Sequence, residues 1–135
     1  MARKRRKKSA QTKMYEQCLD LCRDVVRARD GWICCKCGKQ CKSNYDRHWS
    51  HIKGRGVDKR LAYDPKNSVI HCYQCHLWWH ADIPGAYLWF KGYAPHRLAH
   101  IDRWHQINMA KGTITIGELE TARDELRAKL LELVK

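Results

Sequence analysis

Between Thr12 and Ala28 the apolar positions fall at Tyr15, Cys18, Leu19, Cys22, Val25 and Val26, steps of three and four that wind onto one face of a helix. The pattern stops at R-D-G-W (residues 29–32), so a helix is predicted over about 12–28, with Cys18 and Cys22 packed in its core face rather than on a metal. From 33 to 72 the periodicity gives way to short, glycine-punctuated pieces, as expected of tight turns and a β-hairpin. A helix is predicted from near Cys75 until Pro84 and Gly85 interrupt it, followed by the dense apolar cluster Tyr87, Leu88, Trp89 and Phe90. Pro95 suits the first turn of another helix, with Leu98, Ile101 and Trp104 on one side and Gly112 as its stop. The last element opens on T-I-G-E, a capping box in which Thr115 and Glu118 satisfy each other's backbone N–H groups. Leu119, Ala122, Leu126, Leu130 and Leu133 then form a stripe that either packs on the domain or pairs with a second copy.

At 135 residues these elements fit one domain, and no internal repeat divides it. Charge adds the first hint of a partner. The chain carries 27 Lys and Arg against 14 Asp and Glu, a formal +13, which points to an anionic polymer. Six of those charges, Arg3, Lys4, Arg5, Arg6, Lys7 and Lys8, form a block with nothing to pack, so residues 1–11 are expected to be a disordered basic arm that contacts phosphates. The body remains basic without them. No apolar run approaches the roughly 20 residues of a membrane span, and the basic start runs into S-A-Q-T-K-M-Y rather than an apolar signal core. A cytoplasmic location and no membrane partner are the expectation.

Eight cysteines in such a chain read as reduced metal ligands rather than disulfides. Cys34-Cys-Lys-Cys37 and Cys72-Tyr-Gln-Cys75 are two C-x2-C knuckles, each able to present two thiolates to one ion, and Gly38 permits the tight backbone that follows the first. Together they supply a tetrahedral structural Zn²⁺, with Cys35 and Cys41 as spare thiols able to replace Cys34 or Cys37. His76 and His80 are then free, and four apart on a helix they share a face.

Upstream lie D-R-H-W-S-H-I-K-G-R-G (46–56) and L-A-Y-D-P-K-N-S-V-I-H-C (61–72). With R-D-G-W-I-C-C-K-C-G as lead-in, S-H-I, and then N-x8-H-x3-H, residues 29–80 resemble the HNH endonucleases of the ββα-metal (His-Me finger) superfamily. A looser likeness in W-S-H, K-G-R-G and L-A-Y-D-P-K-N is to phage-encoded HNH proteins, including the Rap/NinG recombination endonucleases. The resemblance implies a small α+β zinc-stabilised domain, a ββα-metal finger flanked by N- and C-terminal helices. Residues 12–82 would be the nuclease core and 83–135 a helical extension. It implies hydrolysis of duplex or branched DNA in a bacterial host cell, with docking of the ββα element in the minor groove.

The residues suit that chemistry in their own right. Phosphodiester hydrolysis needs a base to activate water, an electrophile for the phosphate and stabilisation of the departing 3′ oxygen. His51 is the candidate base. A catalytic divalent ion (Mg²⁺, Mn²⁺ or Ni²⁺) on His76 and His80 would face it and bind the phosphate and leaving oxygens. Asn67, by resemblance, braces the loop that aims His51, and Arg55 is placed to touch a phosphate. The residue before the base is usually a metal-binding Asp or His; here it is Ser50, a poor ligand, with Asp46 or His48 as substitutes. In a straight strand His48 and Ser50 share a face and His51 points the other way, so only a turn or bulge would join His48 to His51. Two imidazoles without a sure carboxylate favour Mn²⁺, Ni²⁺ or Zn²⁺ over Mg²⁺. Trp78 and Trp79 are expected to cover the metal, and His96 and His100 to lie at the surface or on DNA. The rival reading is a catalytically inactive, zinc-dependent nucleic-acid-binding module, with an RNA-binding protein behind it.

Overall fold

The computed structural model describes residues 3–135. The first helix, α1 (Ala10–Asp30), begins where the Ser9 side chain accepts from the Thr12 N–H and ends where Gly31, at φ 67°, donates its N–H to the Arg27 carbonyl. Ala10 and Gln11 are therefore helical rather than part of the arm. Residues 3–9 are exposed and carry no regular structure, and Met1 and Ala2 lie outside the described residues. The apolar stripe of α1 is fully buried at Cys18, Cys22 and Val26, and the Cys18 thiol donates to the Leu119 carbonyl at 3.3 Å. Both cysteines are core residues, as their spacing implies.

Two four-residue strands, β1 (His48–His51) and β2 (Ser68–His71), pair antiparallel in a straight register, His48 with His71 through His51 with Ser68. They do not form a tight hairpin. The connection, residues 52–67, folds into two 3₁₀ turns, Leu61–Tyr63 and Pro65–Asn67, and its side chains build much of the later site. Four helices follow: α2 (Tyr73–Ala81), α3 (Ile83–Tyr93), α4 (Pro95–Met109) and α5 (Ile116–Leu133). Pro84 and Gly85 do not merely interrupt a helix. Asp82 caps a new one by accepting from the Gly85 N–H, with Pro84 in the first turn, where its missing N–H costs nothing.

The result is a small α+β fold with two apolar clusters on either side of the sheet. In one, Cys18, Cys22, Val25 and Val26 of α1 meet Leu119 and Leu126 of α5 over Ile70. Ala122, Leu130 and Leu133 join this cluster, so the C-terminal stripe is covered by its own chain. In the other, Val69 and Trp79 pack with Phe90, Leu98 and Ile101. Trp104 departs from the predicted face and stands 40 % exposed. Two steps of three residues fall short of two whole turns, which take about 7.2, so the third member of a 98-101-104 series has rotated off the contact. Thr115 caps α5 by accepting from the Glu118 N–H, but the Glu118 carboxylate does not return the bond; it clamps Arg60 at 2.9 Å. Among the described residues no helix is long and apolar enough to cross a membrane.

Candidate metal centre and histidine face

Cys34 and Cys37 lie on a tight turn closed by the Gly38 N–H to the Cys34 carbonyl at 3.0 Å, with Gly38 at φ 74°, a left-handed conformation that a side chain would strain. The turn is pinned between the bridged residues Ile33 and Gln40. Cys72 is the N-cap of α2 and Cys75 lies in its first turn, so the second knuckle is a helix start. The four thiols lie within 4.8 Å of one another, a tetrathiolate set suited to a structural Zn²⁺. Burial pushes the Cys34 thiol up, but backbone N–H groups of Cys37, Cys72 and Lys36 outweigh it and bring it down to about 7. Burial raises Cys72 and Cys75. Cys35 and Cys41 stay outside the four, although Cys41 is buried against Cys34 and Cys72.

The second knuckle's last residue is followed at once by His76. Its Nδ1 lies 2.7 Å from the Ser50 hydroxyl, and its ring meets His80 edge-on at 4.5 Å between centroids. On its other side the His48 ring stacks at 4.6 Å and 19°. His48 and Ser50 thus face α2 together, as strand alternation requires in a register without a bulge. Burial, then His80 and His48, lower His76 to about 4, so it is neutral and available as a ligand. The His48 Nε2 is sealed from solvent with no partner, and so are both nitrogens of His71, which lies beneath Trp79.

His51 does not join that group. It occupies the opposite face of β1, its ring 4.3 Å from Trp49, with Nε2 2.9 Å from the Ala62 carbonyl. That bond fixes the proton on Nε2 and leaves Nδ1, which is not among the sealed polar atoms, facing solvent. Burial lowers His51 to about 4, with the Ala62 carbonyl opposing and Arg55 adding to the shift. Arg55 is exposed and lies over the Trp49 ring at 5.4 Å. The Trp79 indole donates to the His51 carbonyl at 2.9 Å, tying the His51 backbone to α2.

Asn67 is wholly buried and spans the connection. Its Oδ1 accepts from the Lys53 N–H at 2.8 Å, and its Nδ2 donates to the carbonyls of Lys53 and Leu61 at 2.9 and 3.0 Å. One side chain therefore locks the segment after His51 to the turn before Ala62, whose carbonyl holds the His51 ring.

Sequence reasoning missed the pair that holds this turn from outside. Arg29 of α1 donates to the Pro65 and Ser68 carbonyls at 2.7 and 2.8 Å, and Arg97 of α4 donates to Lys66 and Ser68 at 3.0 and 2.8 Å. Lone arginines in two distant helices give no local signal of a shared target. His100 is tied to the fold rather than free at the surface, binding Asp64 at 2.8 Å, and His105 binds the buried Asp58 at 2.9 Å; His96 is exposed, as expected, with no such tie among the described contacts. Trp79 is buried, while Trp78 lies beneath Lys36 of the first knuckle at 4.3 Å. Among the described residues Arg3 to Lys8 are exposed, and Lys8 reaches Glu16 at 2.8 Å.

Comparison with protein-family models, curated proteins and solved structures finds no match for this chain.

Proposed function

We propose that the chain is a metal-dependent DNA endonuclease of the HNH kind, built on a zinc-stabilised core. The observation that carries this reading is a neutral His51, held by a backbone carbonyl on one face of β1, with the His76–His80 pair of the helix that starts at the four-cysteine set lying against the other face. In-line displacement at phosphorus needs its base and its leaving-group support on opposite sides of the phosphate. Adjacent side chains diverging from the end of β1 suit that demand. A phosphodiester lying across the strand end would have His51 on one side and the α2 histidines on the other.

The donor set fits a divalent ion: imidazole nitrogens, one of them on a His76 that burial keeps neutral and Ser50 engages at Nδ1, and a sealed, unpartnered nitrogen on His48. Such an ion would supply charge neutralisation for the phosphate and the departing oxygen. His51, with Nε2 donating to Ala62, has Nδ1 free to take a proton from water. Trp49 packs the ring on one side and Asn67 fixes the two segments that define its position. Arg55 adds positive charge where a phosphate approaches. The basic arm and the net +13 supply sequence-tolerant phosphate contacts. Duplex DNA is the base substrate, and branched recombination DNA and phage origin follow from the looser likeness.

One observation favours the second reading, a nucleic-acid-binding module without catalysis. Ser50, 1 % exposed and bound to His76, offers the ion no strong ligand where a carboxylate or imidazole is usual. Plasmid nicking with Mg²⁺, Mn²⁺ and Ni²⁺ separates the two. Nicking by the zinc-loaded protein that is abolished in His51→Ala, with zinc content and DNA affinity near those of the parent, is the expected result. A parent that shifts DNA on a gel without nicking it in any of these ions establishes the binding module. His51→Ala that still cuts at the parental rate removes His51 as the base.

A further inference from the structure

The strand contributes two side chains toward α2, and they divide the work in an unexpected way. Ser50 is buried and its hydroxyl is committed to His76 Nδ1 at 2.7 Å. That contact leaves the other nitrogen of His76, Nε2, as its outward donor. A hydroxyl in this position orients an imidazole and raises its basicity, the usual task of a group behind a ligand rather than of a ligand.

His48, two residues earlier and on the same face, has what Ser50 lacks. Its ring stacks directly on His76, its neighbour in turn meets His80, and the three imidazoles form a continuous series. Its Nε2 is cut off from solvent and bonded to nothing. An orphaned buried nitrogen has lost its water without gaining a partner, a cost that a bound cation removes. Among the described residues only the four thiols of the zinc knuckles are already drawn together, so His48 would turn about its side-chain bonds to reach an ion shared with α2. His71, paired with His48 across the strands, is a poorer candidate because it is wholly buried and its ring contacts are Trp79 and Trp89, whereas His48 lies on His76.

We infer that His48 is the strand-borne ligand of the divalent ion on His76 and His80, and that Ser50 is a positioning residue that orients His76. The inference rests on the proposed ion site of α2 and assigns it a three-imidazole ligand set. Such a set prefers borderline first-row ions, Zn²⁺, Co²⁺ or Ni²⁺, over Mg²⁺, which prefers oxygen. It leaves the remaining coordination positions to water and phosphate oxygens.

The test uses the full chain with its four-cysteine site already filled by Zn²⁺ and Co²⁺ added as the probe. Proton NMR of the cobalt form should show three contact-shifted, exchangeable imidazole N–H signals. Two signals overturn the inference, and this measurement needs no variant to fold. His48→Ala should remove one signal and weaken Co²⁺ binding by at least about tenfold, whereas Ser50→Ala should keep all three and weaken binding by about 10-fold. His48→Asp should restore binding and move preference toward Mn²⁺ and Mg²⁺, which a merely packing role for His48 would not do. Unchanged Co²⁺ affinity in a folded His48→Ala overturns the assignment. A nuclease that cuts DNA but shows two signals loses only this inference. A protein with three signals that never nicks DNA keeps it and loses the nuclease reading.

Discussion

At the scale of single residues the site depends on two side chains that stay neutral or uncharged inside the protein. Burial holds His51 down at about 4 although the Ala62 carbonyl pulls the other way, and Arg55 adds to the depression. Because the folded value is below the ordinary 6.5, the ring remains an available base as pH falls through 6.5 and is lost only near 4. If the proposed nuclease reading holds, cleavage should therefore stay nearly level from about pH 8 to about pH 5.5, where an ordinary imidazole would already be roughly nine-tenths protonated. Removing Arg55 deletes a lowering influence, so Arg55→Ala should move the acid limb upward, toward neutral pH. A parental limb centred near 6.5 would contradict this account of His51. Asn67 makes a stability argument. Its truncation leaves the Lys53 N–H and the Lys53 and Leu61 carbonyls without their partner in a buried position, each orphan costing about 1–3 kcal/mol. Partial relaxation reduces the sum, and Asn67→Ala should lose about 3 kcal/mol in urea unfolding together with most of the cleavage rate. Loss below about 1 kcal/mol would mean that water takes over all three bonds.

At the scale of elements the decisive piece is α2, nine residues long, with no side-chain cap at Cys72. Isolated helices shorter than about 12–15 residues are marginal in water. A metal on Cys72 and Cys75 would tie down the first turn, in which the His76 N–H meets the Cys72 carbonyl at 2.9 Å. Cys75→Ser should therefore release the zinc, speed amide exchange along α2 and abolish cleavage. Retention of the ion with parental exchange at His76 and Leu77 would show that the knuckle does not fix the helix. This helix also marks the limit of what local pattern reveals. Helices α1, α4 and α5 are legible because stripes such as Cys18-Cys22-Val25 and caps such as Thr115 are written within a few residues of where they act. The four thiols are legible for the same reason, since each knuckle is four residues long and together they make one set. The face of β1 that meets α2 follows from alternation once the strand is straight, but straightness is set by pairing with β2, which lies beyond the whole of residues 52–67. The Arg29–Arg97 clamp and the Arg60–Glu118 pair lie beyond local pattern altogether, because each joins residues dozens of positions apart that acquire meaning only after the helices pack. Glu118 shows the conflict directly: the local capping rule claims it, and a largely buried guanidinium wins it.

At the scale of the whole molecule the proposed DNA-binding role of the basic arm can be separated from any role in the fold. Residues 3–8 are exposed, and their one ion pair among the described residues, Lys8 with Glu16, is a surface bridge of the kind worth about 0–1 kcal/mol. Ser9 is different. Its hydroxyl accepts the Thr12 N–H and caps α1, the helix whose buried face supports α5, and such a cap is worth about 1 kcal/mol. Function and stability therefore part between Lys8 and Ser9. Deleting residues 2–8 should leave the melting temperature within a degree or two, while a deletion reaching through Ser9 should lower it visibly. The same shorter deletion should weaken duplex binding and flatten its salt dependence. Each arm residue that rests on a phosphate contributes about 0.9 to the slope of log K against log salt, so the six charges together set an upper limit of about 5. The rate of cleavage at saturating DNA should hold, because none of the described arm residues contacts the histidine face. An unchanged salt slope would show that the arm carries charge without touching the duplex, and would move the phosphate contacts to the basic body of the domain.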